Sequence, residues 1–505
     1  MGLARSSAMP IAVAAALFCA PLAAQTRPSE NNAKRLIEKA DRLAWLYNWY
    51  LAGPLYAEAE KLFDQAGDSR NALYAKIGRL RSEWETMSFP EVSEYLATEL
   101  DSPLVQNDPQ LRLWILDAKG AVDLEVNVAS ARRVYEEARE LARKLGDKAR
   151  EARTGGELGI ISFVTGEAGN SADLLAEALR ASIELKDVGA HIRYLNMLGN
   201  GLTLFGRPED AMRYFDRALQ IVKSTPDLDT SVLAVAGKAK ALIALNKRTE
   251  AEKLYQETLD RSRLRERHGL TATILTEFAE LKRQAGDRQQ AIAYYQEAAA
   301  LAQKNSLHRV VAMAMFGLTK LYRDAGDLEK AEESAAAGVH AAEQVGETYE
   351  MPKRLALLAG LRSDRGKFES ADQLYQQAED IIDGLLVSVP SLSARTGLIG
   401  VMSQVYVDHF ALAVDRLNDP TKALDVLERA RGRTAADVLS NRERKPASRS
   451  QVQTAQERNI ARLQIRLMRA GTRAERIEIL DKLFEAEQDL WVTQPNKIQR
   501  RLERG

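Results

Sequence analysis

The feature that most constrains this chain is a period of 40 residues. Gly166, Gly206, Gly286, Gly326 and Gly366 fall on one 40-residue grid, and Asn246 fills the missing slot. Five positions after each comes a small residue: Ser171, Ala211, Ala251, Ala291, Ala331 and Ala371. Twelve positions after most of them comes another: Ala178, Ala218, Ala298, Gly338 and Ala378. A single globular core has no reason to repeat at a fixed interval. A stack of similar supersecondary units, each burying its apolar face against the next, has to.

One unit shows the physics. Met315, Leu318 and Tyr322 follow at helical spacing and define an apolar face. Gly326 and Asp327 then break the helix, since Gly takes the left-handed position after a helix end and Asp caps the next helix. Ala331, Ala335 and Gly338 lie along one face of a second helix, about Leu328 to Gln344. Small residues there let the two helices approach closely, as in an antiparallel αα-hairpin. The scheme also reads through Phe278, Gly286, Ala291, Tyr295 and Ala298, and through Leu198-Gly199, Gly206, Ala211, Phe215 and Ala218. It continues upstream in weaker form at Ala131, Tyr135 and Ala138, and at Leu46, Tyr50, Ala59, Phe63 and Ala66. Polar turns between units fall near Gly146, Lys186, Pro226, Ser306 and Gly346. The expected architecture is all-α, a right-handed αα-solenoid closed by a C-terminal helical hairpin.

Leu then Gly on the first helix, Gly at the turn, and Ala with an aromatic on the second helix resemble the tetratricopeptide repeat. The full Leu-Gly pair stands at Leu158-Gly159 and Leu198-Gly199. That repeat has about 34 residues, so these units carry slightly longer helices; HEAT repeats have the right length but lack this spacing. The resemblance covers roughly residues 40 to 380. It implies a concave groove lined by the first helix of each unit, taking a protein or peptide partner. The grid puts Arg153, Arg193, Asn196, Asn200, Lys240, Arg283, Lys320 and Arg323 on or near that face. Their cationic and amide groups suit peptide carboxylates and backbone amides. Read as solvated surface, Arg193, Asn196 and Asn200 are expected to tolerate replacement by Ala with little loss of stability.

Lys+Arg and Asp+Glu both number 71. A net charge of zero argues against a nucleic-acid partner and against an electrostatic membrane binder. Arg5, the apolar run Met9 to Ala20 and the small residues Leu22-Ala23-Ala24-Gln25 read as a cleavable secretory leader, residues 1–24. The run is too short for a resident membrane span. Export to the periplasm or outside the cell is therefore expected. Cys19 is the single cysteine, so the mature chain would hold no disulfide and no thiol nucleophile.

No phosphate-binding loop, zinc-protease helix or serine-nucleophile elbow is present, so no catalytic residue, metal or cofactor is expected. Gly155, Gly156 and Gly159 lie on a repeat helix and read as close-packing positions. His191, His268, His308, His340 and His409 read as histidines at the surfaces of turns. Trp45, Trp49, Trp84 and Trp114 read as filling of the less regular first units.

The grid ends near Ala378. Asp419-Pro420 restarts a helix, and residues 423–439 resemble the segment that closes the repeat array in proteins with a caspase-like CHAT domain. There the pattern AL-x-x-x-ERA-[KR]-[GA]-R precedes the protease-like half. The resemblance implies a rival role, the sensor half of such a system with its catalytic domain elsewhere. Beyond a basic linker, Ile460, Leu463 and Leu467 face Ile477, Leu480 and Phe484 at near-heptad spacing. The expected organisation is a leader (1–24), repeat array (25–385), closing helices (386–440), linker (441–451), and a hairpin with basic tail (452–505). The hairpin at 452–491 would dock a partner.

Overall fold

A computed structural model describes residues 28–430, apart from 205–206, 226–227, 229–230 and 389–391, together with isolated positions between 459 and 486. Gly206, Pro226, the leader, the linker and most of the C-terminal hairpin lie outside the described residues.

The described chain is helical throughout, with no strand among the described residues. In order come α1 (Pro28–Trp45), α2 (Trp49–Ala66), α3 (Ser69–Glu83), a 3-10 turn (Trp84–Thr86), α4 (Phe89–Leu100), the short α5 (Pro103–Gln106), α6 (Pro109–Val126) and α7 (Val128–Leu145). Then follow α8 (Lys148–Val164), α9 (Ala168–Glu184), α10 (Val188–Leu204), α11 (Pro208–Ser224), α12 (Ser231–Ala244), α13 (Arg248–Leu264), α14 (His268–Gln284) and α15 (Arg288–Lys304). The series ends with α16 (His308–Asp324), α17 (Leu328–Val345), α18 (Met351–Asp364), α19 (Phe368–Ser388) and α20 (Leu392–Asp415). A further helix covers 420–430, capped where the Lys422 amide donates to the Asp419 carboxylate at 3.0 Å.

Helix breaks recur every 20 residues, twice as often as the glycine grid. Gly146, Gly166, Lys186, Asn246, Glu266, Gly286, Ser306, Gly326, Gly346 and Gly366 all have positive φ. The intermediate break at Glu266 goes unmarked in the sequence because Glu occupies a left-handed position that usually goes to Gly or Asn. The caps behave as the sequence implies: Asp147, Asp287 and Asp327 each accept from the backbone N–H three residues on.

The small residues sit where helices cross. Ala211, Ala251, Ala291, Ala331 and Ala371 are fully buried. A Cβ on Gly338 would lie 3.3 Å from Met315 and 3.4 Å from the Ala312 carbonyl, so α16 and α17 nearly touch there. Other glycines seat an aromatic ring from a neighbouring helix: Gly120 under Tyr135, Gly156 under Tyr194, Gly199 and Gly237 against Phe215, and Gly317 under Tyr295. Gly159 packs on Leu174 and Leu175.

The first unit departs from the sequence reading. Leu46 and Tyr50 do not lie on the first helix of a hairpin. The chain turns at Tyr47, whose φ is 56°, and Asn48 caps α2, so Tyr50, Ala59 and Phe63 share one helix. The break is carried by a left-handed tyrosine that composition does not mark.

The solenoid is wound tightly enough for its own turns to touch. Asn305 donates to the Met87 carbonyl at 2.9 Å across 218 residues, and Arg309 donates to the Leu124 carbonyl at 2.8 Å across 185. The Thr348 and Tyr349 amides both reach the Val164 carbonyl, and the Phe163 and Tyr349 rings lie 5.5 Å apart. Each contact joins units roughly five apart, so the array completes one superhelical turn in that interval.

Candidate functional site

The concave surface is drawn by four columns of residues on the first helices of the units. A cleft of about 520 Å³ opens between α16, α18 and α20. Its lining includes Phe316 with Ala356, Lys320 with Gly360, Arg323 with Ser363, and Lys353. Read back along the 40-residue grid, Lys353 shares a column with Arg153 and Arg193, and Phe316 with Asn196. Lys320 shares one with Asn200 and Lys240, and Arg323 with Arg283. All eight residues singled out from the sequence thus lie in the columns that line this cleft, but they do not form one open face.

In the first half of the array those columns are covered. Arg153 makes two bonds of 2.7 Å to the Asp187 carboxylate and a third to the Trp45 carbonyl. Its guanidinium lies 3.6 Å from the centre of the Trp45 ring and 4.9 Å from that of Tyr47. Arg193 forms two 2.6 Å bonds with Glu157, itself buried. Burial works against its charge, but the Glu157 carboxylate outweighs it and holds the guanidinium well above its ordinary pKa. Asn196 is 3% exposed, and its amide finds no partner in the structure. Asn200 is half-buried. The expectation that Arg193 and Asn196 are solvated surface is therefore corrected. The reason is the winding: α1 and its turn fold back over α8 and α10. Removing Arg193 would strand a buried carboxylate, which is costly.

The middle columns carry internal ion pairs. Lys240 donates to Glu277 at 2.9 Å. Arg283 grips Glu280 with bonds of 2.9 and 2.8 Å, and the Tyr295 hydroxyl donates to the same carboxylate at 3.0 Å. Burial pushes the Glu280 carboxyl up, but the Arg283 bonds and the Lys320 charge bring it down to about 2.

Lys320 and Arg323 differ. Neither has a carboxylate within ion-pairing distance among the described residues. Lys320 sits over the Phe316 ring at 4.3 Å. Burial lowers its pKa, with Glu280 opposing and Arg283 assisting. Opposite, α20 presents Gln404, Asp408 and Asp415 above an apolar floor of Leu357, Val401, Val405 and Leu412. Lys353 and this α20 wall were missed in the sequence. The grid position of Lys353, 200 residues after Arg153, was the available signal. α20 lies off the grid and gave none.

His409 also departs from expectation. It is 1% exposed, not on a turn surface, and its ring nitrogens lie 2.7 Å from Glu379 and 3.0 Å from Asp372. Lys422 and Arg429 reach the same two carboxylates from helix 420–430.

A tightly wound stack of helical hairpins with an inward-facing cleft is an αα-repeat solenoid. Its columns of Gly, Ala and aromatic residues follow the tetratricopeptide-repeat pattern, and residues 203–396 match the MalT-like TPR region family. No curated protein matches the chain in sequence. Among solved structures, a Rap protein complexed with competence and sporulation factor is 17% identical, covering 77% of this chain and 100% of its own, with a TM-score of 0.36. Aspartyl phosphate phosphatase F from Bacillus subtilis is 15% identical over 80% of this chain and 93% of its own, with a TM-score of 0.39. BtubC from P. vanneervenii is 19% identical over 53% of this chain and 94% of its own, with a TM-score of 0.31.

Proposed function

We propose that this chain is an exported, non-catalytic scaffold that binds a protein or peptide segment in the cleft between α16, α18 and α20. The observation that carries this is the contrast along the concave columns. Cations in the first and middle units are neutralised internally, whereas Lys320 and Arg323 face an open cleft with an apolar floor. A peptide carboxylate would satisfy them, and an adjacent apolar side chain would cover Leu357 and Val401. The leader at residues 1–24 supports export and hence a periplasmic or secreted partner. The test compares the chain with its Lys320→Ala/Arg323→Ala variant as bait for exported proteins, with the melting temperature as control. Binding should weaken by about 1.5–3 kcal/mol for each charged hydrogen bond lost. Identical partner profiles from two equally folded baits would rule out this cleft.

The fit of residues 423–439 to the CHAT-associated segment favours a second reading, a sensor half that acts on a separate protease-like domain. Its test is whether a captured partner carries a His/Cys dyad.

A further inference from the structure

The turn between α1 and α2 is packed as a ligand would be. Trp45 and Tyr47 enter the concave face of α8 and α10, where Arg153 holds the Trp45 carbonyl at 2.7 Å and stacks on its ring. The rings and cations alternate from Trp114 through Arg150, Trp45, Arg153 and Tyr47 to Arg193, with ring-to-cation distances of 5.6, 6.0, 3.6, 4.9 and 5.8 Å. The receiving surface has a glycine where the turn comes closest: a Cβ on Gly189 would lie 2.6 Å from the Trp45 carbonyl and 3.0 Å from the Tyr47 ring. The receiving cations are held in place without the turn. Asp187 fixes Arg153 through two bonds, and Glu157 fixes Arg193 through two. A preformed pair of guanidiniums and a glycine floor, met by a main-chain carbonyl and two aromatic rings, are the components of a recognition site for an extended or turning segment.

We infer that the α8–α10 face is a binding site for a chain segment bearing two aromatic residues two apart, and that Trp45–Tyr47 occupies it in cis. The site is separate from the cleft beside α20. Because the occupant is tethered, its effective concentration is high, and a segment supplied in trans gains access only when the turn is vacated. An aromatic-bearing partner that displaced the turn would open this part of the groove.

The test uses a fluorescein-labelled peptide of residues 41–50 and fluorescence anisotropy. The full chain is compared with its Trp45→Ala/Tyr47→Gly variant, in which glycine suits the left-handed backbone at position 47. The variant should bind the peptide at least about tenfold more tightly than the unaltered chain. A control peptide with both aromatics of the Trp45–Tyr47 pair replaced by Ala should bind neither protein. A helical variant with no gain in affinity, or one that takes both peptides equally, overturns the proposal. If the double variant loses helicity by circular dichroism, Tyr47→Gly alone decides. It removes one of the two seated rings, so it should bind the peptide more tightly than the unaltered chain and less tightly than a vacated site; equal or weaker binding than the unaltered chain overturns the proposal.

Discussion

At the scale of single residues, glycine does two different jobs that look alike in the sequence. Gly317 and Gly360 both lie on first helices. A Cβ on Gly317 would meet the Tyr295 ring at 2.1 Å, whereas one on Gly360 meets only the Tyr375 hydroxyl, at 3.6 Å. Replacing a helical Gly by Ala gains about 0.5–1 kcal/mol when nothing is in the way. Gly360→Ala should therefore raise the urea midpoint. Gly317→Ala should lower it, because displacing a packed ring costs about 1–3 kcal/mol. The same cost applies to Ala331→Leu at a fully buried crossing. Equal midpoints for Gly317→Ala and Gly360→Ala would contradict the ring-on-glycine packing. The small residues were legible because their spacing is fixed by helix crossings that recur. Which cations stay free was not, since the acids that neutralise Arg153, Arg193 and Lys240 lie 34, 36 and 37 residues away on neighbouring units.

At the scale of elements, the end of the array is held by charge as well as by apolar packing. α20 and helix 420–430 meet α19 through His409, Lys422 and Arg429, which share Asp372 and Glu379. Burial disfavours the imidazolium, but the two carboxylates outweigh it and raise the His409 pKa above its ordinary value. A group whose pKa is raised on folding stabilises fully below its unfolded value. That stabilisation is lost as pH rises through the folded value. The gap in melting temperature between the unaltered chain and His409→Gln should be widest near about pH 6 and narrow toward about pH 9. A gap independent of pH would mean that the imidazole is held neutral. In the sequence His409 was one of five scattered histidines, since its partners lie 30 and 37 residues away and His409 itself sits on α20, which the grid does not reach.

At the scale of the whole molecule, the period predicts a stack but not its pitch. Repeat columns report contacts between neighbouring units. The superhelical turn is set by contacts between units roughly five apart, and these use residues that do not recur: Met87, Leu124 and Val164 meeting Asn305, Arg309 and Tyr349. The polar part of the seam between turns is a few backbone and side-chain bonds, beside a ring pair and apolar contacts that join the first units to the later ones. Arg309→Ala removes the bond to the Leu124 carbonyl and the ion pair with Glu125, at 3.7 Å. Tyr349→Ala removes the ring that meets Phe163. Together they should lengthen the solenoid, raising the radius of gyration in small-angle X-ray scattering while helicity by circular dichroism stays constant. The loss in stability should be modest, about 1.5–3 kcal/mol for the charged hydrogen bond plus the ring contact. An unchanged radius of gyration would place the control of winding elsewhere, in the Trp45–Tyr47 turn locked against α8 and α10. In that case the turn variants, and not the seam variants, should extend the molecule.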